Sequence, residues 1–297
     1  MNHPSLTFPR FRFRARRRLP RGEALAMTKA GALVWLLALI GLRPDWPGAL
    51  VWFAAQVLVP LGMPAESRLR RLQPAFALCA GASLFLPRGP LSAAVACGWL
   101  IFAALLALET LLKHRFWPAE QLTATAAPVF LTVGALWFVA FRGGFPLLGF
   151  NGLIVVLTAA HFHYAGWALS TLAARLAERQ PAPLTRGAAL AVMGGMPIVA
   201  AGITFSPLLE WLGAWAMAAS AILVAFLQMR LEGDRVQRAL FLTSGFCLVA
   251  GMGLALVYSR SEYHGHGDLE PMLRWHSTLN SLGFSLLGLL GWQRSAR

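Results

Sequence analysis

The chain has 297 residues, of which 57% are hydrophobic and 13% charged, and a formal net charge of +14. A soluble domain carries about 25% charged residues, so this composition excludes a water-facing globular fold. Apolar runs of roughly 18 residues or more recur without polar alternation, which points to membrane-spanning helices and excludes a transmembrane β-barrel.

The Arg-rich start, RFRFRARRRLPRG, reads as a cytoplasmic arm over 1–23, drawn to anionic lipid by its charge. Two other readings stay open. One is a cleaved signal peptide, although no A-x-A-like site closes the first apolar run. The other is initiation at Met27, where Lys29 beside the first apolar run is a sufficient topogenic start and the arm is not translated. Ten spans follow, near 24–42, 46–63, 72–87, 91–112, 121–141, 147–174, 187–207, 209–229, 239–258 and 272–292. They form one transmembrane domain over 24–292 with a short cytoplasmic tail at 293–297. The third is short and reads as tilted or partly re-entrant. With the amino terminus in the cytoplasm, only Arg43, Arg88, Arg142, Arg260 and Arg274 of the 26 Lys and Arg residues fall in outer segments. This is the positive-inside bias, and it places both termini in the cytoplasm. It also accounts for the high net charge without a nucleic-acid partner. The expected fold is an all-α integral membrane protein, a bundle of about ten transmembrane helices in a lipid bilayer.

Polar groups inside the early spans are sparse. Gln56 falls mid-span in the second, and Glu109 with Lys113 has the i, i+4 spacing of an ion pair near the membrane surface. Pro128 and the GGMP of 194–197 can break the fifth and seventh spans, although tolerated kinks are commoner. Cys79, Cys97 and Cys247 fall inside spans and read as small buried packing residues.

The sixth span holds LTAAHFHYAGWALSTL. Counted from Pro146, His161 lies 15 residues in, roughly 20 Å from either end at 1.5 Å per residue, near the bilayer centre. Ionisable groups at that depth face protein or water. On a straight helix His161 and His163 are about 200° apart, so each meets a different neighbour and the two cannot hold one metal ion. Small residues flank both, with Tyr164 beside His161. Three roles are open for these imidazoles: hydrogen bonds between helices, a proton or solute route, or ligation of haem or a divalent transition metal. The segment Ala160–Tyr164 resembles the short histidine stretch of the haem–copper oxidase main subunit. No vicinal histidine pair accompanies it, and His3 and His114 are cytoplasmic, so oxidase chemistry is excluded and a single haem stays open.

The outer loop and last span hold YHGHGDLEPMLRWHSTLNSLGF. His264, His266 and Asp268 are the weak candidate metal ligands of a flexible loop. On the last span His276, Asn280 and Gly283 share a face. His276 lies about five residues in, roughly 7 Å below the helix start, as does Asn151 on the sixth span. Asn151, His276 and Asn280 are therefore expected to line an outward-facing polar cavity with His161 as its floor, about 14 Å deeper than His276, which disfavours co-ligation by the two histidines.

The motifs His161–Phe162–His163–Tyr164–Ala165–Gly166 and His276-x-x-Leu279–Asn280-x-x-Gly283–Phe284 together resemble the YndJ-like membrane protein family. That family's late helix commonly starts with Thr-His-Gly, where this chain has Trp275, His276 and Ser277. The resemblance implies a multi-pass protein of a bacterial-type plasma (inner) membrane and brings no established reaction. The functional expectation is a transporter-like protein for a small solute, ion or proton. Its candidate residues are Asn151, His161, His163, Tyr164, His276 and Asn280. The alternatives are a membrane redox protein that holds haem or metal on the HFHY helix, and a non-catalytic scaffold.

Overall fold

The computed structural model describes residues 21–42, 44–113 and 118–295. The Arg-rich arm through residue 20, with His3, lies outside them, as do Arg43, His114, Arg115 and the last two residues of the tail. The described residues are helical, with no strand beyond a single bridge between Leu147 and Phe150.

The helices are α1 Arg21–Leu42, α2 Trp46–Gly62, α3 Gln73–Leu84, α4 Pro90–Lys113, α5 Ala119–Gly143, α6 Gly152–Arg179, α7 Pro183–Phe205, α8 Pro207–Met229, α9 Arg235–Tyr263 and α10 over 269–295. Each coincides with one of the segments expected from the sequence. Six of them, α4 to α9, are long and apolar enough to cross a membrane. The 12 residues of α3 rise only about 18 Å, less than the ~30 Å of a hydrocarbon core. Helix starts follow local chemistry: Asp45, Ser206, Asp234 and Asp268 each accept a hydrogen bond from a backbone N–H of the first turn. Each such cap contributes about 1 kcal/mol. Pro128 and Pro197 sit inside α5 and α7 without breaking them. Cys79, Cys97 and Cys247 are free thiols but only half-buried, less enclosed than the sequence suggested.

Buried on every side from Gly48 to Met63, α2 is the core of the bundle, packed against α1, α3, α6 and α10. A helix end leaves its last carbonyls without intrahelical donors. Here side chains from other elements supply them. Arg70 donates to the carbonyls of Pro60 and Met63 at 3.0 and 2.7 Å. Gln293 donates to Leu61 at 2.7 Å and Arg175 to Gly62 at 2.9 Å. Pro60 has no N–H to give, and Gln73 donates to the Ala55 carbonyl in the turn this leaves open.

At the centre of the fold, α6 packs against α2, α5, α7, α8 and α10. Three of these helices are locally widened into π-helix, at Ala54–Leu58 in α2, Phe162–Leu169 in α6 and Leu279–Leu286 in α10, and the three widened stretches pack against one another. A fourth, Met272–His276, precedes them in α10. Such i→i+5 stretches are rare, are usually single turns, and concentrate at functional sites. The straight-helix geometry expected for the HFHY segment therefore does not hold.

The start of α6 also differs from expectation. Residues 147–150 form a tight turn closed by reciprocal Leu147–Phe150 backbone hydrogen bonds of 2.9 Å. Gly149 and Gly152 adopt positive φ of 83° and 54°, which glycine does without steric penalty. The helix consequently begins six residues after Pro146.

Candidate functional site

His163 is fully buried, with 0% of its surface exposed. Its Nδ1 lies 2.7 Å from the Ala159 carbonyl, which can only accept, so Nδ1 carries the proton. Its Nε2 then holds a lone pair and accepts from the indole N–H of Trp99 in α4 at 2.9 Å. Both ring nitrogens are thus satisfied, and the imidazole ties α6 to α4. Gly134 of α5 makes the room: a Cβ there would lie 2.8 Å from His163 Nδ1 and 3.1 Å from the Ala159 carbonyl. A haem or metal could bind His163 only by displacing Trp99 or the carbonyl.

His161 points the other way and is not buried at a helix interface. Its side chain is exposed. Opposite it stands His276 of α10, half-buried, with ring centroids 6.5 Å apart and planes inclined by 24°. The expected 14 Å offset in depth is therefore wrong, and the reason is the position of the helix starts. With α6 beginning at Gly152 and α10 at Leu269, His161 is nine residues into its helix and His276 seven. The offset falls to about 3 Å, and His161 lies toward the N-terminal end of α6, away from its midpoint.

The tautomer of His276 is fixed by Gly251 of α9, whose carbonyl lies 2.8 Å from Nδ1. Nδ1 therefore donates, and Nε2 keeps its lone pair. Asn280, one turn on, donates from Nδ2 to the His276 carbonyl at 2.9 Å and lies 3.2 Å from both imidazole nitrogens. Its Oδ1 is buried with no hydrogen-bond donor among the described residues. Gly251 permits this approach, since a Cβ there would lie 2.8 Å from Asn280 Nδ2. His161 makes no hydrogen bond among the described residues.

The remaining sequence candidates are placed elsewhere. Tyr164 is buried and donates to the Leu50 carbonyl of α2 at 2.8 Å, which makes it a tie between helices. Asn151 is exposed at the N-cap position of α6, ten residues and so roughly 15 Å of helix rise from His161. It does not adjoin the His161–His276 pair. Between α9 and α10, His264, His266 and Asp268 are exposed, and Asp268 is occupied as the cap of α10, accepting from Glu270 N at 3.0 Å. Among the described residues no group of three His, Cys, Asp or Glu side chains is arranged to hold a metal ion. Glu109 and Lys113 do pair, at 2.6 Å, and Glu109 also accepts from the Ser67 hydroxyl and the Arg68 N–H.

Two residues of the site went unread in the sequence, Trp99 and Gly251. Trp99 carried a signal, because an indole N–H deep in an apolar run needs an acceptor. Gly251 carried none beyond its small size.

Comparison with known proteins gives two matches. The model of the YndJ-like protein family matches residues 49–284, a stretch that contains both histidine motifs. The chain is also 26% identical over 201 residues to the uncharacterized membrane protein YndJ of Bacillus subtilis (strain 168), covering 66% of this chain and 37% of that protein. The chain thus spans little more than a third of that relative. No solved structure matches.

Proposed function

The chain belongs to the YndJ-like protein family, and we propose that it is a transporter-like multi-pass membrane protein. A small solute, ion or proton would follow a polar route past His276, Asn280 and His161 between α6 and α10. The observation that carries this reading is the pair itself: two imidazoles from different helices, ring centroids 6.5 Å apart, with His161 exposed. Ionisable groups inside a membrane are costly, and they commonly mark routes for ions or protons. The packing of three π-helical stretches beneath the pair adds to this, since such stretches concentrate at functional sites. His163 and Tyr164 belong to the scaffold in this reading.

We further infer that all ten helices lie in or across a bacterial plasma membrane with both termini in the cytoplasm. The skew of Arg and Lys toward one side supports this. The basic arm would rest on anionic lipid of the inner leaflet.

The test is flux into vesicles of phosphatidylethanolamine and phosphatidylglycerol containing the purified protein. Dyes for entrapped protons, potassium and divalent metal report entry. The expected result is a response that His161→Asn and His276→Asn abolish and His264→Asn leaves intact. A silent wild type, or unchanged flux in both variants, would remove the transporter reading.

A further inference from the structure

We propose that the groove between the starts of α2 and α10 binds the headgroup of a phosphatidylethanolamine molecule from the surrounding bilayer. Neither histidine of the α6–α10 pair lines it, and the proposal uses the placement of α2 and α10 in the membrane but not transport. The groove is a cavity of about 350 Å³ lined by Trp46 of α2 and by Glu270, Leu273, Arg274 and Thr278 of α10. Its volume falls within the range of small-molecule sites. Its free polar chemistry comes down to one charge of each sign. The Trp46 indole N–H donates to Ser277 Oγ at 3.0 Å, so the indole offers the cavity its ring and no free donor. The Thr278 hydroxyl donates to the Arg274 carbonyl at 2.6 Å. Glu270 and Arg274 stand four residues apart, in the order that ordinarily pairs across a helix turn. Among the described residues, however, no ion pair joins them or engages either one. The Arg274 guanidinium lies 5.3 Å from the Trp275 ring centroid, a contact that leaves its N–H groups free.

Charge and depth then select the occupant. A carboxylate beside a guanidinium is complementary to a zwitterion: arginine presents a fork of N–H donors that suits a phosphate, and the glutamate accepts from a primary ammonium. Phosphatidylethanolamine carries those two groups on a two-carbon link, a spacing comparable with the ~5–6 Å between Cβ atoms four residues apart on a helix. Phosphatidylglycerol meets Arg274 equally well, but its net negative charge is opposed by Glu270. From Glu270 to Thr278 the lining extends over about 12 Å of helix rise, deeper than the roughly 5–7 Å of one headgroup layer. The charges lie at the start of α10, while Leu273 and the Trp46 ring give the groove apolar walls. A site charged at one end and apolar beyond it takes an amphiphile, and a water-soluble zwitterion leaves its deeper part unfilled. Trp46 also has the place that tryptophan favours, at the boundary between headgroups and hydrocarbon.

The experiment is native mass spectrometry of the purified full chain in detergent, titrated with phosphatidylethanolamine or phosphatidylglycerol of matched acyl chains. The wild type should retain one phosphatidylethanolamine per chain and hold it at least roughly 10-fold more tightly than phosphatidylglycerol. Arg274→Gln should weaken phosphatidylethanolamine binding at least roughly 10-fold. Glu270→Gln should erase the preference between the two lipids, and Arg260→Gln, outside the groove, should change nothing. Glu270 and Arg274 are exposed and their side chains make no hydrogen bond among the described residues, so both variants alter charge without breaking the fold. A wild type that retains no phosphatidylethanolamine, unchanged affinity in Arg274→Gln, or a preference that survives in Glu270→Gln would overturn the proposal. So would displacement of the lipid by an equal concentration of glycerophosphoethanolamine, its water-soluble headgroup, which would assign the groove to a free zwitterion. The measurement involves no flux, so its failure leaves the transporter reading standing, and silent vesicles leave this site standing.

Discussion

Trp99→Phe tests the claim that His163 is a structural tie. The substitution removes the only donor, among the described residues, to a fully buried acceptor, His163 Nε2, which sits 2.9 Å from the indole nitrogen. Stranding a buried acceptor costs about 1–3 kcal/mol. The lower half of that range applies here, because side-chain hydrogen bonds between membrane helices average about 0.6 kcal/mol and reach about 1.7. The lost part of the ring leaves a void of roughly 40 Å³, which at about 24 cal/mol per Å³ adds about 1 kcal/mol. The near-parallel packing of Trp99 on Phe102, with centroids 5.2 Å apart, also weakens. The sum is about 2–3 kcal/mol, or roughly 5–10 °C in melting temperature for a chain of this size. A thermal melt of the detergent-solubilised protein, followed with a thiol-reactive dye at the half-buried cysteines, measures it. His163→Leu and the double variant complete a cycle, and the coupling should be about 1 kcal/mol because removing both partners strands nothing. A Trp99→Phe melt within 1 °C of wild type, or strict additivity in the cycle, would refute the role given to this hydrogen bond.

At the α9–α10 contact, Gly283→Ala sets a Cβ 2.6 Å from the Cβ and Sγ of Cys247, and overpacking of that kind should lower stability by about 1–3 kcal/mol. The same melt reads it, and Gly253→Ala, where nothing lies within 4 Å, serves as the control. Asp234 accepts from the Gln237 and Val236 N–H groups and pairs with Arg294, which together hold its carboxyl below the usual aspartate range. Because the folded value is depressed, its stabilisation is present above the unfolded value near pH 3.9 and is lost as pH falls through the folded value. Melts between pH 2 and 6 should show a fall at the acid end in wild type that is reduced in Asp234→Asn. Reporter fusions at residues 65, 180 and 265 should read cytoplasmic, cytoplasmic and external, and an external reading at 180 would end the ten-span topology.

The helical class and the helix positions were legible because apolar length alone separates a spanning helix from a soluble one. The depth of His161 was not read correctly. Counting from Pro146 ignored Gly149 and Gly152, whose spacing in the GFNG stretch marked a turn before the helix. That error moved His161 about 9 Å too deep, six residues of helix rise, and hid its approach to His276. The π-helical stretches were beyond the pattern, since an apolar run has the same composition at 3.6 or 4.4 residues per turn. The donor to His163 comes from 64 positions away, and residue spacing carries no information about such pairs.

The enclosure of α2 has a consequence for how the protein is made. Some of its polar groups find their partners on segments synthesised much later: the Leu50 carbonyl waits for Tyr164, the Gly62 carbonyl for Arg175, and the Trp46 indole N–H for Ser277, 231 residues downstream. At 5–20 residues per second the last of these emerges roughly 10–50 s after α2 itself. Until those segments arrive, the Leu61 and Gly62 carbonyls at the end of α2 lack the donors that Gln293 and Arg175 supply. The helix therefore enters the bilayer as a provisional guest and becomes the centre only when α10 closes over it. Chains halted before that point would present an unfinished α2 to membrane proteases, so release from surveillance depends on completion of the last helix.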